Sequence, residues 1–382
     1  MVSRKRLEEI EDDTLAPYGM HADRSKGRAY PDHEPEYRLA YQRDRDRILH
    51  TTAFRRLEYK TQVFVFSEGD YYRTRLTHTL EVIQIGRTLA RALGVNEDLS
   101  EAICMAHDLG HPPFGHSGER ALARLMASSG GFNHNSHSFR IVTELEKRYA
   151  GFPGLNLTWE VREGIVKHET DYDIPESAGF DPALRASLEA QIANAADELA
   201  YTAHDLDDGL RSGMIDADAL AAVALWQHIT RRVGWTGGAL DELIRHEVIR
   251  ELIGFEITAL LDCTSHAIEE SDVKTPEDVQ RLGHNLVAYA PELDEENRQL
   301  REFLFKNLYR HPRVVRMAQK AERIVSELFE AYGAEPAVLP EHIQELIPER
   351  GLERTVCDYI AGMTDRFAME EHRKLFDPLT LP

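Results

Sequence analysis

The chain has 382 residues, enough to bury one large hydrophobic core or two ordinary ones. Its 66 Asp and Glu residues outnumber its 45 Lys and Arg residues, and the formal net charge of −21 repels nucleic acid and anionic membranes. The three cysteines have no paired spacing, which argues against a disulfide framework and favours a reducing compartment. The longest apolar run, at 219–226, is far too short to cross a bilayer, so we expect a soluble, cytoplasmic protein without a membrane partner.

Helical periodicity predominates along the chain and predicts an all-α fold. Residues 16–36 carry Pro, Gly and turn formers without an apolar period, which predicts an N-terminal arm or loop at 1–36. A catalytic helical core is expected at 37–215, with helices near 37–60, 71–93, 97–109, 118–127, 138–149 and 183–210. The run TQVFVF at 61–66 interrupts it with strand-like alternation. A C-terminal helical extension packed on this core is expected at 216–382, with helices near 216–232, 238–262, 275–285, 293–309, 311–332, 341–347 and 351–375.

His78 lies on the apolar face of the helix predicted at 71–93. Val82, Ile85 and Leu89 follow it at helical intervals, so its side chain points toward the core. Taken alone, this pattern favours a core histidine satisfied by a backbone carbonyl over a metal ligand.

The segment HDLGHPPFGHSGE at 107–119 concentrates three histidines and two carboxylates where Gly110 and Pro112 end a helix. Neighbouring residues of a helix point about 100° apart, so His107 and Asp108 can reach one ion only close to the helix end. Imidazole combined with carboxylate favours Zn, Mn, Fe, Ni or Co over Ca. A His-Asp pair alone is an unspecific signal.

Asp197, Tyr201 and Asp205 form an acidic stripe in IANAADELAYTAHDLDDGL. Their spacing of four residues places them on one helix face within about 80° of arc. The small apolar residues beside them indicate a buried face, where carboxylates need a cation or strong hydrogen bonds. A solvated acidic stripe is the alternative that these residues alone leave open.

Together these segments resemble a specific family. THTLEV with His78, HDLGHPPFGHSGE with His107 and Asp108, and ADELAYTAHDLDDG with Asp197 are similar to the H…HD…D pattern of HD-domain metal-dependent phosphohydrolases. FRRLEYKTQVF at 54–64 and VCDYIAGMTDRFA at 356–368 narrow the resemblance to the deoxyguanosine triphosphate triphosphohydrolase family of dNTP hydrolases. The resemblance covers most of the chain and implies a helical HD-domain core.

The resemblance implies the hydrolysis of dGTP, or of dNTPs generally, to deoxynucleoside and tripolyphosphate by water attack on the α-phosphate. A divalent ion (Mn, Mg, Fe, Ni, Co or Zn) would act as a Lewis acid and lower the pKa of its water. The implied metal ligands are His78, His107, Asp108 and Asp197. The implied catalytic residues are His116 as general acid, Glu119 as the carboxylate that orients it, and His111 and His134 as phosphate contacts.

Substrate contacts are implied at five further positions. Tyr201 would pack beneath the deoxyribose, where a 2′-OH would clash, and Asp205 would accept from the 3′-OH. Arg56, Gln62 and Arg75 match positions that grip the phosphates and sugar, and arginines there also supply the positive field that an acidic protein needs to hold a triphosphate.

Some residues receive no role. Asn135 and His137 stand where the family often carries other residues, and His168 is expected to be structural. The family also implies a homo-oligomer and leaves open a dNTP activator at a second site. The alternatives are another HD phosphohydrolase, such as a 5′-nucleotidase or a phosphodiesterase, and a dNTP-sensing scaffold without turnover.

Overall fold

The computed structural model describes residues 2–63, 72–168 and 179–381, and within them the fold is all-α. The described helices are α1 (Arg4–Thr14), α2 (Ala40–Leu49), α3 (Thr52–Arg56), α4 (Arg75–Ala92), α5 (Glu97–Ala106), α6 (Gly115–Leu125), α7 (His134–Arg140), α8 (Trp159–Val166), α9 (Leu188–Arg211), α10 (Ala224–Val233), α11 (Glu242–Ser271), α12 (Pro276–Arg281), α13 (Pro291–Leu304), α14 (Pro312–Ala334), α15 (Glu341–Gln344), α16 (Ile347–Arg350), α17 (Leu352–Ala361) and α18 (Asp365–Phe376). Helices α7 and α13 each continue into a short π-helical turn, at Ile141–Leu145 and Phe305–Tyr309. None of the helices in these ranges is long and apolar enough to cross a bilayer.

The segment 37–215, which was expected to be catalytic and is named the catalytic half, is built around α4, α5 and α9, which pack on one another. Each begins with a side-chain cap: Thr74 accepts from the backbone of Thr77, Asn96 from Leu99, and Ser187 from Ala190. Apolar side chains on all three helices fill one core, including Val82, Ile85, Leu89, Leu99, Ile103, Ile192 and Ala196. This packing brings the polar residues of the three helices to one place.

The C-terminal helices pack on the catalytic half. Helices α11 and α12 add Leu260, Ile268 and Val279 to the core just described, and two further clusters lie apart from it. One joins α6 to α14 and α17 through Leu122, Val325 and Ile360. The other joins α9 to α10, α11 and α13 through Leu206, Trp226 and other buried apolar residues. Because both clusters contain residues from either side of the predicted boundary at 215/216, that boundary stays a prediction.

The observed helices differ from the predicted ones in several places. The single helix predicted at 37–60 is two helices, because Thr51 caps α3 right after α2 ends. Helices α1 and α8 were not predicted, and α1 lies inside the segment expected to be an arm or loop. The charged sequence RKRLEEIEDDT of α1 contains few apolar residues, so its helical period was weak.

Residues 16–36 lack an α-helix, as predicted, yet they are docked on the core. The side chain of Arg28 is 5% exposed, and it donates to the carboxylate of Asp44 and to the backbone carbonyl of Asn156. The backbone of Met20 donates to Glu189 of α9 at 2.8 Å. The strand-like run at 61–66 and the predicted helix start at 71 fall partly outside the described residues.

Candidate metal centre

Two histidines and two carboxylates from three helices meet at the centre of the catalytic half. His78 lies in the first turn of α4, His107 and Asp108 directly follow α5, and Asp197 lies in α9. His78 Nε2 is 2.9 Å from Asp197 Oδ1 and 3.8 Å from Asp108 Oδ2. His107 Nε2 is 3.5 Å from Asp197 Oδ1 and 3.6 Å from Asp108 Oδ1.

These distances fit ligands of one shared ion. Atoms bound at about 2.1 Å to the same ion lie roughly 3.0–3.4 Å apart in octahedral or tetrahedral geometry. The observed 2.9–3.8 Å separations are close to this range. Two imidazoles and two carboxylates suit a first-row divalent metal. This cluster therefore has the donor atoms to hold a divalent metal ion.

The hydrogen bonds of His107 leave its Nε2 available to the ion. Its Nδ1 lies 2.6 Å from the carbonyl oxygen of Cys104, so Nδ1 must carry a hydrogen and donate. In the neutral ring, which is the form that binds a metal, Nε2 is the unprotonated nitrogen, and it is buried without a hydrogen-bond partner. A buried nitrogen with an unpaired lone pair is the arrangement expected of a metal ligand.

A chain of side chains behind His78 orients the second imidazole. His78 Nδ1 lies 2.8 Å from Nε2 of His204, which is 1% exposed. If Nε2 of His78 binds the metal, its Nδ1–H donates to His204. His204 Nδ1 in turn lies 2.8 Å from Asp205 Oδ1, and Tyr309 donates its hydroxyl to Asp205 Oδ2. The hydrogen-bonded relay behind His78 therefore ends at His204, because His204 Nδ1 and Asp205 Oδ1 are close but form no hydrogen bond.

The electrostatics of the cluster favour a cation between its carboxylates. Burial alone would raise the pKa of Asp108, but Arg75 and the neighbouring histidines hold it well below its usual range. The pKa of Asp197 is also held well below its usual range, against the effect of burial, by His107 and other histidines. Burial lowers the pKa of His107, but Asp108 and Asp197 more than offset this and raise it to about 9. A proton on His107 therefore occupies a place that a divalent cation would take with release of that proton.

The turn after Asp108 depends on the absence of a side chain at Gly110. A Cβ there would lie 2.1 Å from the carbonyl oxygen of His134. The backbone of Gly110 donates to Ser138 Oγ at 2.8 Å, and that hydroxyl donates to the carbonyl of His107 at 2.9 Å. Helix α7 thereby fixes the segment that carries His107 and Asp108.

A second group of side chains lies beside the candidate metal ligands. The carboxylate of Glu119 lies 3.2 Å from His116 Nδ1 and 2.8 Å from His134 Nδ1. Against the effect of burial, these histidines hold the pKa of Glu119 far below its usual range, so the carboxylate is charged. The rings of His111 and His134 stack with centroids 3.8 Å apart, and His111 Nδ1 lies 2.9 Å from Asp108 Oδ1.

The four candidate ligands and the three histidines of the second group line one small cavity of about 60 Å³, whereas Glu119 lies behind them. Its lining comprises Gln62, Arg75, His78, His107, Asp108, His111, His116, His134, His168, Asp197, Glu198, Tyr201 and Arg301. Ligand pockets commonly measure about 300–1,000 Å³, so this cavity is smaller than the pockets that usually enclose a whole nucleotide. His116, with a side chain that is 54% exposed, is placed at the cavity's outer side.

The structure brings most of the predicted substrate contacts to this cavity, but not all of them. Gln62, Arg75 and Tyr201 line it, and Arg75 Nη1 lies 2.9 Å from both oxygens of Asp108. Arg56 lines a different cavity and donates to the carbonyl of Gly362. Asp205 is 1% exposed and lies behind the lining, because its carboxylate is held by Tyr309.

Two buried histidines extend the site beyond the residues that the sequence analysis selected. His168, expected to be structural, places Nε2 3.4 Å from Asp197 Oδ2 and lines the cavity. His204 supports His78 as described above. The sequence held a signal for His168, because GIVKHE, like ICMAHD at His107, places a histidine at the end of an apolar helix. His204 had no such signal, since only packing brings it beside His78.

Comparison with known proteins agrees with this geometry. The HD domain model matches residues 75–202, and the phosphohydrolase-associated domain model matches residues 287–374. A deoxyguanosinetriphosphate triphosphohydrolase-like protein of Geobacter sulfurreducens is 51% identical over 381 residues, covering 99% of each chain. Proteins with the same name are 52% identical in Geobacter metallireducens, over 95% of each chain, and 49% identical in Bradyrhizobium sp., over 95% of this chain and 96% of the relative.

The chain therefore belongs to the family of deoxyguanosinetriphosphate triphosphohydrolase-like proteins, and residues 75–202 form its HD domain. This confirms the resemblance inferred from the sequence and the all-α fold class. It also places the chain among the metal-dependent phosphohydrolases.

Proposed function

We propose that this protein hydrolyses deoxynucleoside triphosphates, dGTP or dNTPs generally, to deoxynucleoside and tripolyphosphate. The observation that carries the proposal is the joint lining of one cavity by a four-ligand cluster and by a histidine paired with a carboxylate. Phosphoryl transfer needs positioned charge and a proton donor for the leaving oxygen. The names of the relatives support the choice of dNTPs as substrates.

In the proposed site His78, His107, Asp108 and Asp197 hold the divalent ion. A bound ion of this kind supplies Lewis acidity at the α-phosphate and a water of lowered pKa. His107 is oriented for this by the carbonyl of Cys104, and His78 by His204. The metal identity stays open among Mn, Mg, Fe, Ni, Co and Zn.

His116 is the proposed general acid. Attack of water on the α-phosphorus breaks its bond to the 5′ oxygen, and that oxygen leaves as a poor leaving group unless it is protonated. With Nδ1–H donated to Glu119, the protonated His116 ring can give its other proton, on Nε2, to the 5′ oxygen. Glu119 holds this orientation and also fixes His134 through its ring and its backbone N–H.

The remaining lining residues are proposed to bind the substrate. Arg75 and Gln62 would contact phosphate and sugar oxygens, and the Tyr201 ring would pack against the deoxyribose. Burial, together with Arg75 and His134, holds the pKa of His111 well below its usual range, so it would meet a phosphate as a neutral imidazole. For Asp205 to reach a 3′-OH, as the family resemblance implies, its bond with Tyr309 would have to open or be shared with the substrate.

The reaction is tested by its products. Purified, Mn-loaded protein is incubated with each of the four dNTPs, separately and mixed, and products are resolved by anion-exchange chromatography. Deoxynucleoside with intact tripolyphosphate is expected. Monophosphate with pyrophosphate, or orthophosphate, would contradict the proposal and favour another HD phosphohydrolase, while binding without turnover would favour a dNTP-sensing scaffold.

A homo-oligomer and a dNTP activator are proposed from the family resemblance alone. A requirement for the mixed dNTPs in the same assay would support activation at a second site. Sedimentation of the purified chain would measure the oligomeric state.

A further inference from the structure

A second and larger cavity lies between the catalytic half and the C-terminal helices. Its volume is about 590 Å³, within the range of about 300–1,000 Å³ that is common for organic ligands. Its walls come from α3, the region of α7 and the segment 340–367. It is therefore large enough for an organic molecule, in contrast to the cavity at the metal centre.

Two buried polar atoms in the wall of this cavity have no hydrogen-bond partner. His137 is 2% exposed and lines the cavity, and its Nδ1 is unpaired. Oδ1 of Asp358 is also unpaired and lies 3.8 Å from that nitrogen, beyond hydrogen-bonding distance. Burial, with Lys60 and arginines nearby, lowers the pKa of His137 to about 3, so the imidazole is neutral. Buried polar atoms are normally paired, which indicates that a ligand group completes this wall.

Two arginines that line the cavity have guanidinium N–H groups without a hydrogen-bond acceptor among the described residues. Arg350 Nη1 lies 3.8 Å from Asp358 Oδ2, a long ion pair, and a guanidinium has five donors. Arg56 donates to the carbonyl of Gly362, also from a single nitrogen. Each acid of the wall already has one donor: Glu146 accepts from the backbone of Ala53, and Asp358 accepts from Arg140 through Oδ2 while its Oδ1 is unpaired.

The rest of the lining is apolar or aromatic. It includes Leu145, Ile343, Leu346, Tyr359, Met363 and Phe367. Tyr359 is half-buried, and Phe367 is 38% exposed. Flat apolar surfaces beside guanidinium groups suit a molecule with an aromatic or apolar body and one acidic group.

We propose that this cavity is a binding site for a small organic anion with an aromatic or apolar body. The acidic group is held by Arg350 and Arg56, a hydrogen-bonding group meets His137, and the body packs on Leu346, Tyr359 and Phe367.

The occupant would touch the reverse side of the metal-binding segment. Leu109, which follows Asp108 in the chain, is fully buried and lines this cavity. Lys60, also in the lining, donates to the carbonyl of His111 and, at 3.0 Å, to the carbonyl of Ala361. The site therefore adjoins both the segment that follows His107 and Asp108 and helix α17. The proposal of this site does not depend on the proposed hydrolysis.

The test uses 8-anilinonaphthalene-1-sulfonate, a fluorescent aromatic monoanion, titrated into the full chain and checked by calorimetry. One site per chain is expected in the wild type. Arg350→Gln should weaken binding on the order of tenfold, because a charge-assisted contact is lost. Leu346→Trp, which fills the cavity, should abolish binding while the far-UV circular dichroism stays that of the wild type.

Two controls make the result decisive. Arg366→Gln, on α18 with a side chain 71% exposed and paired with Glu370, should leave binding unchanged. The uncharged analogue N-phenyl-1-naphthylamine should bind far more weakly than the sulfonate. Equal binding by all variants, several equivalent sites, equal binding of the uncharged analogue, or loss of binding as the protein self-associates would each overturn the proposal.

Discussion

The metal centre and the larger cavity are built in opposite ways. The metal centre is about 60 Å³, polar and lined by closely spaced histidines and carboxylates. The larger cavity is about 590 Å³, mixed in polarity and closed by residues as far apart as Ala53 and Phe367. Short sequence motifs on a few helices supply the residues of the metal centre. The larger cavity forms only where the C-terminal helices pack on the core.

The two sites are neighbours despite this difference. Leu109 and Lys60 line the larger cavity, while Asp108 and His111 line the smaller one. If the two sites are independent, a substitution at the metal centre should leave probe binding in the larger cavity unchanged. If they are coupled, it should change both metal content and probe binding. Each variant below is therefore measured for metal content and for binding of the anilinonaphthalene probe.

Asp197→Ala should have the largest effect, abolishing metal retention and activity together. Asp197 is the carboxylate that approaches both His78 and His107 within 3.5 Å, so its loss removes the ligand they share. Metal analysis of the purified variant measures this, with Asp13→Ala, exposed on α1, as the control. Normal metal content would remove Asp197 from the ligand set, and probe binding is expected to persist.

His116→Ala should retain the metal and lose turnover by about 10²–10⁴-fold, the usual contribution of a general acid. Its ring belongs to the Glu119 group rather than to the four-ligand cluster. Steady-state kinetics and metal analysis are compared with those of His266→Ala, which breaks a similar but exposed His-Glu pair on α11. Loss of metal in His116→Ala would mean that this histidine is a ligand.

His204→Ala should lower metal affinity by about 10–100-fold, as substitutions behind a ligand histidine commonly do. His204 supports Nδ1 of His78 and does not line the cavity. A competition titration with a metal chelator measures the affinity, and His204→Gln should restore part of it by offering an acceptor to His78. Unchanged affinity in the alanine variant would show that His78 is oriented without this contact.

The smallest expected effect is a pH dependence of the free energy of unfolding of the metal-free protein. The pKa of His107 is about 9 in the fold, against an ordinary value of 6.5, so protonated His107 stabilises the metal-free fold. This contribution is complete below pH 6.5 and is lost as the pH rises through about 9. Denaturant unfolding between these pH values should show a falling free energy of unfolding for the metal-free protein.

The metal-loaded protein should lack this decline, because its His107 has already released the proton. His107→Ala, prepared without metal, should lack it as well. A decline of equal size in the variant would assign the effect to another group.

The sequence by itself determined the fold class and the four-residue cluster proposed to hold the metal, because both depend on local patterns. Apolar residues at helical spacing specified α4, α5 and α9, and the HD segment with Gly110 and Pro112 specified where α5 ends. His78, His107, Asp108 and Asp197 then meet because each sits on the inward face or end of a buried helix. The predicted helix boundaries were wrong where a capping residue outweighed the helical periodicity. Thr51, for example, begins a new helix inside the predicted helix 37–60.

Only the tertiary structure decided which polar residues support that cluster and which do not reach it. His204 and His168 approach the metal ligands through the packing of α4, α8 and α9, and Arg56 is directed to another cavity by its contact with Gly362. The larger cavity is likewise absent from any local pattern, since its unpaired His137 and Asp358 lie more than two hundred residues apart in the chain. Contacts of this kind depend on how helices pack, and no short stretch of sequence encodes that arrangement.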